Sequence, residues 1–407
     1  MMKLNDGSKL MAKITLTDEQ EKIKNEAVHW FKYESKQLFE IDGKAGTGKS
    51  FLIGAILKAL NLNQNEYYAM AYTGQASIIM RTRGFTTARS IHSTLYEIVE
   101  DKEANETNKR YGIKGRRKTF RLRKYIDKSI KLFFIDEAYM VPEKIVKDIL
   151  SFGVKVLVCG DQHQLPPINS EPVFLTGYGV HHLTQYMRQS AKSAIVYLAD
   201  RASQGLPISC GNYNNEVLVI KEDDFIDDMI YFADSICCGT NITRTRMNNY
   251  VRQMAGYYGP VPTYGERVIC RKNNWDIEQD GIVLTNGLSG HVVSPIFPSN
   301  YNDKLDVYYM DFKPDIANTI FYGLEVNNKF LLANLPQKRE MINPRYDMKY
   351  KLHGNFFEFA YCITAHLAQG AEYQNGIVIE DYLRQDQNQF MYTAITRFKH
   401  KLIIIKT

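Results

Sequence analysis

The chain has 407 residues, with 51 Lys and Arg against 45 Asp and Glu, a formal charge of +6 and 44% hydrophobic content. That length exceeds one hydrophobic core and asks for two or more domains, and the apolar and charged fractions are those of a soluble globular protein. No apolar run approaches membrane-spanning length, Met1 to Ile14 lacks a secretory leader's continuous apolar stretch, and the six cysteines have no metal-ligand spacing, so the expected compartment is reducing and cytoplasmic.

In chain order, Thr17 stands before a helical pattern as a cap. Lys36 to Ile41 reads as a short buried strand, and Phe51 to Leu60 has the apolar spacing of a helix. Between them lies Gly43-Lys44-Ala45-Gly46-Thr47-Gly48-Lys49-Ser50, a complete phosphate-binding loop in the strand-turn-helix context that such a loop needs. Backbone N–H groups from Gly43, Ala45, Gly46, Thr47 and Gly48, with the positive end of the helix dipole, cradle phosphates. Lys49 reaches the β- and γ-phosphates, and Ser50 holds Mg²⁺ through its hydroxyl. The expected ligand is a nucleoside triphosphate, with ATP and Mg²⁺ as the cofactor pair.

Glu97 to Glu106 is acidic and reads as a surface loop. Lys109 to Lys131 is strongly basic, with Asp127 its only acid, and strand-like alternation over Thr119 to Tyr125 suggests a basic β-hairpin within residues 94–130. Arg116, Arg117 and Arg121 would meet a phosphate backbone there, with Tyr111 or Phe120 placed to stack on a base. A solvated charged insertion without a partner is the alternative. Lys131 to Ile135 is an apolar strand that delivers Asp136 and Glu137 at its end, one suited to Mg²⁺ and the other to polarising an attacking water. Val154 to Gly160 is another buried strand, leading into Asp161-Gln162-His163-Gln164-Leu165-Pro166-Pro167. Ile236 to Arg252 reads as a strand and an Asn-rich helix, and residues 263–354 change to strand-and-turn patterns rich in tyrosine.

The strings GDQHQLPPI and IDEAYM resemble motifs III and II of superfamily 1 helicases. Other segments fit the same template. Leu16 to Gln20 resembles the adenine-reading motif, with Gln20 on the base edge. Ala71 to Ala76 and Ser90 to Ser93 resemble single-strand contact motifs, pointing to Thr73, Gly74 and His92. Leu183 to Arg188 resembles motif IV and Tyr392 to Arg397 motif VI, each with an arginine aimed at the γ-phosphate, Arg188 and Arg397. Gln164 takes the place of the γ-phosphate sensor. Ile363 to Glu372 resembles motif V, in which Thr364 and His366 face nucleic acid while Gln369 and Glu372 lie near the nucleotide. Leu367 and Tyr139 depart from the residues usual at their positions.

This likeness runs from Gln20 to Arg397 and is closest to the RecD-like and Dda-like branch, compact helicases that include phage proteins. It implies an α/β fold of two tandem RecA-like domains. The first covers 1–190 with the hairpin at 94–130, the second covers 191–262 and 355–407, and 263–354 forms a small SH3-like β-barrel insertion. The implied function is an ATP-dependent DNA helicase that moves 5′ to 3′ on single-stranded DNA and separates duplex. Its partners would be single-stranded DNA, a duplex fork and single-strand-binding or replication proteins, with no membrane, and the chain would act as a monomer in the cytoplasm (the host's, if phage-encoded). A nucleic-acid-stimulated translocase that remodels nucleoprotein without unwinding remains open, as does a nucleotide-gated loading module. RNA as the track ranks behind DNA.

Overall fold

The computed structural model describes residues 15–100, 118–168, 170–187, 192–296, 301–304, 306–343 and 352–407. Tyr111, Arg116, Arg117 and Arg188 lie outside them.

Helix α1 (Asp18–Tyr33) starts with the capping box that its sequence announces, Thr17 and Gln20 each bonding the other's backbone N–H. It leads to β1 (Leu38–Gly43), α2 (Lys49–Leu60), β2 (Tyr67–Ala71), α3 (Gly74–Thr82), β3 (Arg89–Ser90) and α4 (Ile91–Leu95). Next come β4 (Tyr96–Glu100), β5 (Lys118–Leu122), β6 (Leu132–Asp136), β7 (Lys155–Gly160) and β8 (Val180–Leu183). Strands in the order β3-β2-β6-β7-β1-β8 form one parallel sheet. Helices cover both faces, which is why β6 and β7 are near-continuous apolar runs and not alternating ones. Register gathers the strand ends: Asp42 pairs with Gly160, Gly43 with Leu183, and Ala71 with Asp136. The motif loops therefore leave the sheet at one end, beyond the carboxyl ends of the strands, where parallel α/β sheets bind ligands.

A second sheet is built from β9 (Gly211–Tyr213), β10 (Val217–Lys221), β11 (Ser235–Cys238) and, much later in the chain, β20 (Cys362–Thr364), β21 (Tyr373–Glu380) and β22 (Phe398–Lys406). Its order is β20-β11-β21-β22-β10-β9, parallel except for β9. Its strands begin before Ile236, because the apolar run Val217–Lys221 is itself a strand that pairs with β22 and carries β9 on its outer side.

Between β11 and β20 the chain forms β12 (Arg267–Cys270), β13 (Asn274–Gln279), β14 (Ile282–Leu284), β15 (Ser289–Val292), β16 (Tyr301–Asn302), β17 (Val307–Pro314), β18 (Phe321–Asn327) and β19 (Phe357–Phe359). All but the β13–β14 hairpin join one antiparallel sheet around Tyr308, Phe312 and Phe321. Strand β19 pairs with β12, so this sheet reaches past residue 354. Two short helices, Asn328–Leu332 and Asn334-capped Leu335–Ile342, interrupt the expected β pattern; Asn334 and Gln337 form a capping box.

Buried ion pairs fasten this module to the second sheet's helix Asn241–Met254. Arg244 (2.6 Å), Arg271 (2.8 Å) and Lys338 (3.1 Å) converge on Glu358, and Arg252 binds Glu266 at 2.6 Å. Burial opposes ionisation of Glu358, but these cations hold its pKa down to about 2. Five of the six cysteines are buried, and Cys210 is exposed.

Candidate functional site

The loop after β1 folds as the glycines dictate. Gly46 (φ 86°) and Gly48 (φ 82°) adopt left-handed backbone that L side chains rarely adopt. A Cβ on Gly48 would also stand 2.7 Å from the Gln20 amide. Lys49 folds back on the loop, donating to the Gly43 carbonyl and, at 3.1 Å, to that of Lys44. At the end of β6, Asp136 accepts the Glu137 N–H at 2.9 Å. Glu137 itself has φ 52°, a conformation that costs a non-glycine residue about 1–2 kcal/mol and is stored at functional sites. Burial, then the Asp136 charge, raises the Glu137 pKa, with Arg397 and Lys49 pulling the other way.

Lys49, Ser50, Asp136, Glu137 and Gln164 from the first sheet line one cavity of about 280 Å³ together with Glu372 and Arg397 from the second; Ala45, Gly46 and Gly48 complete its loop wall. Arg397 is buried and aimed by its own neighbourhood, donating to Thr393 O (3.0 Å), Ala371 O (3.4 Å) and Thr396 Oγ1 (3.1 Å).

Two expected nucleotide contacts are otherwise engaged. Gln20 is 1% exposed and off the cavity wall; its amide donates to Thr47 O at 3.0 Å while its carbonyl closes the helix cap. It supports the loop from behind, so gripping a base edge would require it to leave Thr47. Gln369 donates to Leu165 O at 2.8 Å, tying motif V to motif III. Gly43 and Thr47 also stand behind the cavity wall, in the frame of the loop.

That tie belongs to a seam between the two sheets that the sequence alone did not disclose. Ala45 N–H donates to the Tyr392 hydroxyl at 2.8 Å, and that hydroxyl donates to Asp161. Leu165 N–H donates to Thr393 Oγ1 at 2.9 Å, and Lys44 meets Asp200 at 2.5 Å. Burial, then Asp161, pushes the Tyr392 pKa well up, keeping it a neutral donor. Tyr392 and Asp161 lie inside motif strings, but only the assembled lobes reveal their pairing.

A second face lies beyond α3 and α4. Thr73 caps α3, accepting from Ala76 N–H at 3.1 Å, and Gly74 is pressed so close to Thr285 that a Cβ would sit 2.5 Å from its hydroxyl. His92 lies among Tyr72, Tyr96 and Phe120, and burial lowers its pKa. Strands β4 and β5 pair antiparallel, so residues 97–100, expected as loop, are strand. They become one because each residue gains a partner on β5. Glu97 faces Arg121 across this hairpin and binds it at 2.8 Å, so Arg121 is not a free cation. Phe120 is 39% exposed yet packs edge-on against Trp275 of β13 at 5.5 Å. A groove of about 360 Å³ runs here between Gly74, Arg81, Arg89, Ser93, Trp275 and Thr285. Thr364 and His366 begin a short helix in the second sheet and do not line it. Trp275 and Arg81 carried no motif to flag them.

Comparison with known proteins adds two family matches. An AAA-domain model matches residues 15–222, and the UvrD-like helicase C-terminal domain matches residues 359–405. Among solved structures, Pif1 helicase from Candida albicans is similar at 16% identity and TM-score 0.50, over 96% of this chain and 95% of that one. Pif1 helicase from Bacteroides with ADP-AlF3 and single-stranded DNA matches at 16% identity and TM-score 0.53, over 96% and 92%. A structure of two coordinating Pif1 helicases at forked double-stranded DNA matches at 18% and 0.53, over 96% and 92%. At such identities the likeness is one of fold.

Proposed function

The chain is a superfamily 1 helicase, belonging to the AAA-domain family and carrying the UvrD-like helicase C-terminal domain, and on that premise we propose that it turns ATP hydrolysis into 5′-to-3′ movement along single-stranded DNA and parts the duplex ahead. As an ATP-dependent DNA helicase it needs a site that changes with the nucleotide. The observation that carries the reading is the single cavity in which Lys49, Glu137 and Gln164 of one lobe meet Arg397 of the other.

In this reading each lobe is a RecA-like domain and the third sheet is an SH3-like module. Ser50 and Asp136 offer one hydroxyl and one carboxylate in the cavity, a hard oxygen set that suits Mg²⁺ bound also through phosphate and water. Held by Ser50 and Asp136, Mg²⁺ would supply positive charge that offsets the charge of the phosphates. Glu137, its basicity raised by burial, accepts a hydrogen bond from the attacking water. Arg397 offsets charge on the transferring phosphoryl group from the opposite lobe, and Lys49 leaves the loop carbonyls for the phosphates. Gln164, one residue before Leu165, relays occupancy into the seam with Thr393 and Gln369. Opening and closing then becomes stepping if the lobes' affinities for the strand alternate. Thr73, Gly74 and His92 would take the strand on the first lobe, Thr364 and His366 on the second, while Phe120 on its hairpin stands at the fork.

ATP-driven strand separation on two matched duplexes, one with a 5′ tail and one with a 3′ tail, tests this with Lys49→Ala as control. Unwinding of the 5′-tailed duplex alone is the expected result. Unwinding of the 3′-tailed duplex would overturn the direction, and hydrolysis without unwinding would favour a translocase.

A further inference from the structure

Arg83 has no counterpart among the motifs, yet its side chain stands in the nucleotide cavity. It caps the C-terminus of α3, its N–H bonded to Ile79 and Met80 carbonyls at 3.2 and 3.1 Å, and Gly84 (φ 101°) then turns the chain away. From that anchor one guanidinium nitrogen donates to Ser50 Oγ at 3.1 Å. The other donates to Glu372 Oε1 at 2.6 Å. Ser50 belongs to the first lobe and Glu372 to the second, so one planar fork spans the cleft. Burial works against the charge of Arg83, but Glu372, Asp136 and Glu137 outweigh it and raise its pKa. Glu372 is held from its other side by Lys399 at 2.6 Å.

The oxygen lone pair that Arg83 engages on Ser50 is one that a divalent cation would need. We propose that Arg83 is a positioning residue that stands in for Mg²⁺: it occupies the Ser50 hydroxyl and bridges to Glu372 while the metal is away, and yields Ser50 when Mg²⁺ arrives with the nucleotide. The idea rests on the nucleotide-site reading above. Removing Arg83 acts twice in the same direction. Without metal the phosphates lose a substitute cation, and with metal Ser50 is free of a competitor. Dependence of nucleotide binding on Mg²⁺ must therefore grow.

The measurement is the dissociation constant of a fluorescent ADP analogue in excess MgCl₂ and in EDTA, expressed as the ratio of the EDTA value to the MgCl₂ value. In Arg83→Ala this ratio should rise about fivefold or more over wild type, equivalent to roughly 1 kcal/mol of coupling. Arg83→Lys keeps the charge and should restore most of the wild-type ratio. Arg83→Gln removes the substitute cation while keeping a polar side chain beside Ser50; it should raise the ratio through the lost charge alone, by less than Arg83→Ala, and it carries the test should the alanine variant lack a cooperative melt. An unchanged ratio in the folded neutral variant overturns the proposal. Lys49→Ala separates the two failures: lost binding there beside an unchanged Arg83 ratio removes only the role of Arg83, whereas wild-type binding in Lys49→Ala would remove the nucleotide site itself.

Discussion

The nucleotide cleft and the outer face around β4–β5 and β13–β14 are assembled from opposite materials. In the cleft, charges and strained backbone converge: Lys49, Arg83 and Arg397 face Asp136, Glu137 and Glu372 around three left-handed glycines (Gly46, Gly48 and Gly370) and a left-handed glutamate. On the outer face the expected cation Arg121 is paired with Glu97, and a chain of rings runs from His92 and Tyr96 through Phe120 to Trp275, beside the groove that Arg81 and Arg89 line. A cleft that discriminates phosphate states needs fixed charges in a shielded place, where they act strongly. If the proposed strand path runs over the outer face, stacking surfaces suit it, because they accept any base.

The largest effect that would break this contrast belongs to Arg397. Arg397→Ala should lower single-turnover ATP hydrolysis by about 10³- to 10⁵-fold, the range for such arginines; a loss of only a few-fold would show that the second lobe's charge is not catalytic. Next comes the joint between module and second lobe. Glu358→Gln leaves Arg244 and Arg271 without their carboxylate and should destabilise the fold by about 3–5 kcal/mol, read by denaturant melts. Because the Glu358 pKa is lowered in the fold, its contribution is complete above the ordinary value of 4.5 and fades as pH falls toward about 2. The variant's stability should accordingly change less than wild type's across that window. On the outer face, Trp275→Ala removes one aromatic pair, worth about 0.5–1.5 kcal/mol. It should slow unwinding several-fold with DNA-stimulated hydrolysis intact, and equal losses in both would mean that the face is not separate from the cleft. The smallest change is expected from Arg121→Gln, whose exposed pair contributes under about 1 kcal/mol; single-strand affinity and its salt slope should barely move. The cleft also has a pH signature. Glu137 must be ionised to take the water's proton, so its raised pKa in the free enzyme places the acid limb of kcat/KM above 4.5, and a limb at or below that value would contradict the geometry.

The same division explains what was legible beforehand. The phosphate loop, Asp136 with Glu137, and Arg397 were visible because each depends on a few adjacent residues with fixed backbone demands. The strands β1, β6 and β7 were visible as apolar runs for the same local reason. Gln20 shows the limit of that approach: the string was noticed, but in the fold its amide serves Thr47 and its own helix cap. Arg83, Tyr392 and Trp275 were missed as functional candidates because their partners lie 289, 231 and 155 positions away in the chain, at Glu372, Asp161 and Phe120. No local pattern encodes a contact whose other half is supplied by a different sheet. The pairing of Glu97 with Arg121 was hidden for a related reason, since a charge run discloses its sign and not its register.

Cys210 gives the molecule a practical property. Its thiol is exposed at the start of β9, on the far edge of the second sheet, whereas the other five thiols are buried. Burial pushes up the pKa values of Cys159, Cys237, Cys270 and Cys362, which suppresses their thiolates. A maleimide dye offered to the native protein should therefore attach at one place without any engineered cysteine. That place rides on the second lobe, so the distance from the dye to a fluorophore on tailed DNA would report the opening and closing proposed for the two lobes.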